Sequence, residues 1–263
     1  VLLLKHWGIE KSIRFRPGKY VGSPINAARV FNGLNVDELI LLDIVAGAEG
    51  RGPSAEIVAQ IAEETQMPFT VGGGIRSIEQ IRTLLQAGVD RVCINTHAIE
   101  RPEFIREAAE VFGSQCIVVS MDVKRRWTGR YEVCAQGGRK STGLAPEVWA
   151  QRMQEMGAGE LLLTSIDRDG TMSGYDLGLI RRVADAVHIP VIACGGAGRV
   201  EDFAAAVNEG HASAVAAGAL FLFYGPRRTV LINYPHDDDL ARVLGEDRVR
   251  RKDCKVLPPA RDR

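Results

Sequence analysis

The chain has no surplus of charge: 33 lysines and arginines balance 33 aspartates and glutamates over 263 residues. Nothing therefore draws it over long range to nucleic acid or an anionic membrane, and any ligand must be recognised locally. Long apolar runs are also missing. The best candidate, residues 204–223, is interrupted by Asn208, Glu209 and His211, short of the roughly 20 apolar residues a membrane helix needs. Metal-ligand spacings are absent too. His6, His97, His188, His211 and His236 form no HxxxH or HxH pair, and Cys93, Cys116, Cys134, Cys194 and Cys254 form no CxxC, so the expectation is no metal and no cofactor. An odd number of cysteines, three of them in apolar strand-like runs, reads as buried free thiols in a reducing, cytoplasmic setting. The first residue, Val1, lies within a strand-like run. A preceding segment is expected, and a signal peptide in it is an open alternative.

What is present is an alternation. Short apolar runs suited to strands buried on both faces occur at residues 1–5, 39–44, 69–71, 91–95, 117–123, 161–165, 191–194 and 214–217. Between them lie stretches of helical periodicity at 24–32, 54–65, 78–87, 102–112, 146–156, 177–187 and 200–208. Ser23 before Pro24 reads as an N-cap followed by a proline at the first helical position. The pattern predicts a parallel α/β fold. Eight strands would suit an open doubly wound sheet or a closed barrel, and an internal repeat argues for closure. Glu38-Leu39-Ile40-Leu41-Leu42 aligns with Glu160-Leu161-Leu162-Leu163-Thr164 at an offset of 122 residues. Val71-Gly72-Gly73-Gly74-Ile75 aligns with Ala193-Cys194-Gly195-Gly196-Ala197 at the same offset. Two repeated half-barrels of four strands would produce this, giving a single (β/α)8 TIM barrel over residues 1–235, its first strand truncated at the start, and a partly disordered tail over 236–263.

A strand ending in consecutive glycines lets backbone N–H groups approach an anion with no Cβ in the way. One such turn is equally well a tight βα connection. Two at symmetric positions point to a ligand with a phosphate at each end. Asn95-Thr96 and Ala217-Gly218, one strand later in each half, offer further donors.

Phe69-Thr70-Val71-Gly72-Gly73-Gly74-Ile75, Phe112-Gly113-Ser114-Gln115, Leu163-Thr164-Ser165-Ile166-Asp167-Arg168-Asp169-Gly170-Thr171 and Ala193-Cys194-Gly195-Gly196-Ala197-Gly198 closely resemble the cyclase subunit of imidazole glycerol phosphate synthase, over residues 1–223. The resemblance implies a lyase/cyclase of histidine biosynthesis that takes ammonia from a glutaminase partner and uses it on a bis-phosphorylated ribonucleotide. It places one phosphate on Gly74, Asn95 and Thr96 and the other on Gly170, Gly196 and Gly218, the last replacing a serine usual in the family. It implies an ammonia gate of Glu38, Arg91 and Glu160, whose fourth member would precede Val1, and a glutaminase-docking face around Asp90 and Gln115. It assigns catalytic roles to Asp122, Lys11 and Asp169.

One catalytic residue of the family is replaced. A second aspartate should stand at position 3, where this chain has leucine. The internal repeat pairs the same two positions, since Leu2-Leu3-Leu4-Lys5 lies on Met121-Asp122-Val123-Lys124. Leucine moves no proton, and a positioned acid or base is worth about 10²- to 10⁴-fold in rate. A loop-one residue such as Glu10 or Lys11 is the available substitute. Tyr224-Gly225-Pro226-Arg227-Arg228-Thr229-Val230-Leu231-Ile232-Asn233-Tyr234-Pro235, with Lys19-Tyr20-Val21-Gly22 and Arg29-Val30-Phe31-Asn32, resembles the glycosyl amidation-associated, WbuZ-like branch. That likeness implies a sugar amidotransferase as a further partner and amidation of surface-polysaccharide sugars. Three readings stand at this point: an ammonia-receiving paralogue with altered cyclase chemistry, a genuine cyclase subunit, and a non-catalytic scaffold that activates a glutaminase.

Overall fold

The computed structural model describes residues 1–246. Its eight central strands are β1 (Leu2–Lys5), β2 (Leu39–Asp43), β3 (Phe69–Gly72), β4 (Arg91–Ile94), β5 (Ile117–Arg125), β6 (Glu160–Ser165), β7 (Val191–Cys194) and β8 (Ala214–Ala216). They alternate with α1 (Pro24–Gly33), α2 (Ala55–Glu63), α3 (Ile78–Gln86), α4 (Glu103–Phe112), α5 (Pro146–Glu155), α6 (Leu177–Ala184), α7 (Glu201–Asn208) and α8 (Asp237–Leu244). Each strand pairs in parallel with the next in chain order, and a bond of 2.8 Å from the Val1 nitrogen to the Ala217 carbonyl brings β1 to the end of β8. This is the (β/α)8 barrel.

Helix starts follow local chemistry. Ser54, Ser77 and Asp176 accept bonds from the backbone nitrogens of Ile57, Gln80 and Leu179, capping α2, α3 and α6. Ser23 holds the N-cap backbone position of α1, but its side chain makes no capping bond, so the expected side-chain cap is absent. Pro24 alone marks that start, its ring fixing φ where no N–H is needed.

The two-residue period of the strands sorts their side chains into two cores. Leu161 and Leu163 belong to the layer between sheet and helices, whereas the intervening Leu162 joins Ile40, Cys93, Val118, Ile192 and Cys194 in a separate cluster inside the barrel. The half-barrel repeat holds at the level of register. Leu3 stands opposite Leu42 in the β1–β2 ladder as Asp122 stands opposite Thr164 in the β5–β6 ladder.

Two features are not legible in the strand–helix alternation. Antiparallel hairpins extend β1 (Gly8–Lys11 with Lys19–Gly22) and β5 (Tyr131–Ala135 with Lys140–Ser141) at equivalent places in the two halves. The Thr128-Gly129 turn, with Gly129 at φ 84°, joins β5 to Tyr131–Ala135, and Gly137 and Gly138, at φ 64° and 78°, turn that strand back toward Lys140–Ser141. Residues 236–246, expected in the tail, contain α8. Three aspartates occupy its first turn, Leu240 is buried, and Arg242 lies 3.8 Å from Glu201 of α7. The rest of the expected tail, with Cys254, lies outside the described residues. The other four cysteines are free.

Phe104 of α4 is 1% exposed. Phe104→Ala is expected to lower stability by about 3–5 kcal/mol through lost burial and a residual cavity, read as a lower urea midpoint with an unchanged denaturant slope.

Candidate active site

The strands' carboxyl ends and the loops that follow enclose a cavity of about 740 Å³. Lys11, Gly74, Asn95, Thr96, Asp122, Asp169, Gly170, Gly196 and Gly218, every residue expected to do chemistry or hold phosphate, line it. Leu3 and Glu10 line it as well.

The glycine turns are glycine for a steric reason. Gly74 has φ 68°, and a Cβ there would lie 2.0 Å from the Arg51 carbonyl oxygen. Gly196 has φ 120°, and its Cβ would meet the Gly174 oxygen at 2.2 Å. Neither position admits a side chain without moving backbone. Thr96 Oγ1 accepts a bond from the Gln136 nitrogen at 3.0 Å, which leaves its hydroxyl proton to donate.

The aspartates at this face divide by what already holds them. Asp43 accepts from the nitrogens of Val45 and Ala46 and from Arg51 at 2.7 Å, so it braces the β2–α2 loop. Asp167 accepts from the Arg125 nitrogen at 2.7 Å and ties β5 to the loop after β6. Asp169 pairs with Lys11 at 2.7 Å, both side chains under a tenth exposed, and its second oxygen, Oδ2, is buried without a partner. Asp122 accepts only from Asn95 Nδ2, at 2.8 Å. Burial, countered by Asn95 and assisted by the charge of Asp169, pushes the Asp122 carboxyl up to about 7. It is the group at this face poised to exchange a proton near neutrality. Cys93 and Cys194 also line the cavity, and burial raises both thiols, so they stay protonated and act as small apolar groups.

Leu3 occupies the position symmetric to Asp122. Its antiparallel neighbour across the β1 hairpin is Glu10, which ion-pairs with Lys5 at 2.9 Å. Directly opposed residues of an antiparallel pair share a face, so this carboxylate stands beside the missing one. Phe15, Arg16, Gln136 and Arg139, carried by the two hairpin loops, also border the cavity. They escape a sequence reading that treats those segments as plain connections.

The opposite end of the barrel carries the charged set. Arg91, the first residue of β4, lies 2.8 Å from Glu38 and 3.9 Å from Glu160, and Thr70 donates to Glu38 at 2.9 Å. Burial raises the Glu160 carboxyl against the pull of Arg91. Asp90 and Gln115 are both exposed at the same strand-start end, where Asp90 also accepts from the Phe69 nitrogen at 2.8 Å. The structure therefore gathers the expected gate and docking residues at one end and the expected chemistry at the other.

Residues 8–225 match the model of a family described as histidine biosynthesis protein. The chain belongs to this family. Among its relatives, a protein of Pseudomonas aeruginosa provisionally named imidazole glycerol phosphate synthase subunit hisF2 is 46% identical over 234 residues, covering 89% of this chain and 93% of its own length. The imidazole glycerol phosphate synthase subunit HisF of Alkaliphilus metalliredigens is 49% identical over 213 residues, covering 81% and 84%. Membership in the histidine biosynthesis family thus accords with the barrel and with the resemblance read from its glycine turns. Among the described residues no helix is long and apolar enough to cross a membrane.

The raised Asp122 carboxyl makes folding pH-dependent. The folded chain holds this proton between about pH 4 and 7 while the unfolded chain has lost it. Stability should therefore fall as pH rises through that interval, by up to about 1.4 kcal/mol per pH unit from this group. Asp122→Asn removes the ionisation. Urea melts at pH 5 and 8 should show a smaller pH difference in the variant than in the wild type.

Proposed function

We propose that this chain is an ammonia-receiving barrel of the imidazole glycerol phosphate synthase cyclase type, with its cyclase chemistry weakened by Leu3. In this reading a glutaminase docks around Asp90 and Gln115 and delivers ammonia past Glu38, Arg91 and Glu160 into the barrel interior. A bis-phosphorylated ligand lies across the mouth, one phosphate on Gly74, Asn95 and Thr96, the other on Gly170, Gly196 and Gly218. Asp122 exchanges the proton on one side, and Lys11, held by Asp169, supplies a fixed positive charge close by. The observation that carries the reading is the register of Leu3: a side chain without a proton stands where the half-barrel symmetry puts the partner of Asp122. The likeness of residues 224–235 to the glycosyl amidation-associated branch supports a sugar amidotransferase as the downstream user of the nitrogen.

Glu10 favours a second reading. A carboxylate beside Leu3 that lines the same cavity supports a genuine cyclase subunit in which Glu10 replaces the missing acid.

Ammonia-dependent turnover of the bis-phosphorylated ribonucleotide separates the two. On the first reading wild-type turnover is slow, Leu3→Asp raises it about 10²-fold or more, and Glu10→Gln changes it little. Brisk wild-type turnover that collapses in Glu10→Gln would establish the second reading in its place. Asp122→Asn should abolish whatever turnover exists on either.

A further inference from the structure

The segment after the one-turn helix Ala219–Leu222 folds back as a small hairpin, Phe223–Tyr224 against Thr229–Val230. Its tip turns at Gly225 and ends on Arg228, whose nitrogen bonds the Gly225 carbonyl at 3.0 Å. Arg228 sits at φ 51°, a left-handed conformation that glycine adopts freely and that strains an L side chain by about 1 kcal/mol or more. Keeping arginine there calls for a use of its side chain. The guanidinium rests 5.0 Å over the Phe223 ring and donates to the Gly170 carbonyl at 2.6 Å. Among the described residues no carboxylate pairs with it.

Gly170 is fixed from the other side by loop one. A Cβ on it would lie 2.2 Å from the Ser12 oxygen, while the neighbouring Asp169 takes the Arg14 nitrogen on its carbonyl at 2.9 Å and Lys11 on its carboxylate. The Asp169-Gly170 turn is thus clamped between two segments that lie far from it in the chain.

We infer that Arg228 is a positioning residue for the second anion site: its bond to the Gly170 carbonyl fixes the peptide after Gly170, while the Arg14 nitrogen on the Asp169 carbonyl fixes the peptide that carries the Gly170 N–H, and the Arg228 charge favours a dianion at the turn so held. This rests on the paired-phosphate reading proposed above, in which Gly218 contributes no side-chain donor and the second site depends more on backbone than the first. The Gly170 carbonyl shares its peptide group with the Thr171 N–H, which bonds the Arg168 carbonyl at 3.0 Å, so a charged donor on that carbonyl locks the plane after Gly170 and the turn needs no rearrangement when the anion arrives.

The test is a titration of the full ¹⁵N-labelled chain with inorganic phosphate, following backbone amides residue by residue. In the wild type Gly74 and Thr96 should report one binding event and Gly170 and Gly196 another. In Arg228→Met the affinity at Gly170 and Gly196 should fall about tenfold or more while Gly74 and Thr96 are unchanged, and Arg228→Lys should retain most of it. Wild-type affinity at Gly170 and Gly196 in Arg228→Met, or an equal loss at both sites, would overturn the inference and leave the two-site reading standing. A wild type whose glycine amides do not respond to phosphate would overturn both. The Arg228→Met melting temperature, expected within a few degrees of wild type, marks a selective loss as local.

Discussion

Everything at the cavity-bearing face depends on the register of eight parallel strands paired in chain order. In such a ring a side chain either enters a narrow interior or faces the helices, and a slip of one residue exchanges the two sets. The interior is therefore layered: charged residues at the strand starts, a small apolar cluster around Leu162 in the middle, and polar groups at the strand ends. The apolar layer separates the Arg91 ion pairs from Asp122. Its low polarity is also why Asp122, with one hydrogen-bond donor, holds its proton so tightly.

The barrel was largely legible in the sequence because fully buried strands and amphipathic helices leave different periodicities, and because the two halves repeat. The same repeat sets Leu3 against Asp122, and the ladders place them alike. The hairpins were not legible. Their strands are only two to five residues long, too short for a period to stand out from a loop, and Pro17-Gly18, Gly129 and Gly137-Gly138 punctuate them as they would any connection. α8 was hidden for a related reason: a single residue, Leu240, is its buried contact, while aspartates crowd its start and suit its dipole rather than a core.

The site was legible in its fixed parts and opaque in its coupled ones. Glycines that must lie within van der Waals reach of another backbone announce themselves as glycine clusters, whereas strand-end carboxylates divide only in the structure, Asp43 bracing a loop and Asp122 facing the cavity with one side-chain partner. The pairing of Lys11 with Asp169 spans 158 residues. No local pattern encodes such a contact, although it is the kind of buried ion pair whose loss on one side leaves an uncompensated charge, at a penalty of about 3–5 kcal/mol. The same holds for Glu10 beside Leu3, which follows from the turn geometry of a hairpin the sequence does not advertise.

Duplication gave this barrel two nearly equivalent halves, and a cradle with true two-fold symmetry would accept a double-ended ligand in either of two orientations. Leu3 against Asp122, and Gly218 against Asn95, break that equivalence at the two places where a ligand would meet side chains instead of backbone. On the proposed reading, a ligand across the mouth meets the Asp122 carboxyl in one half and an apolar side chain, Leu3, at the matching place in the other. On that reading a single unmatched carboxyl gives a symmetric scaffold a head-to-tail direction.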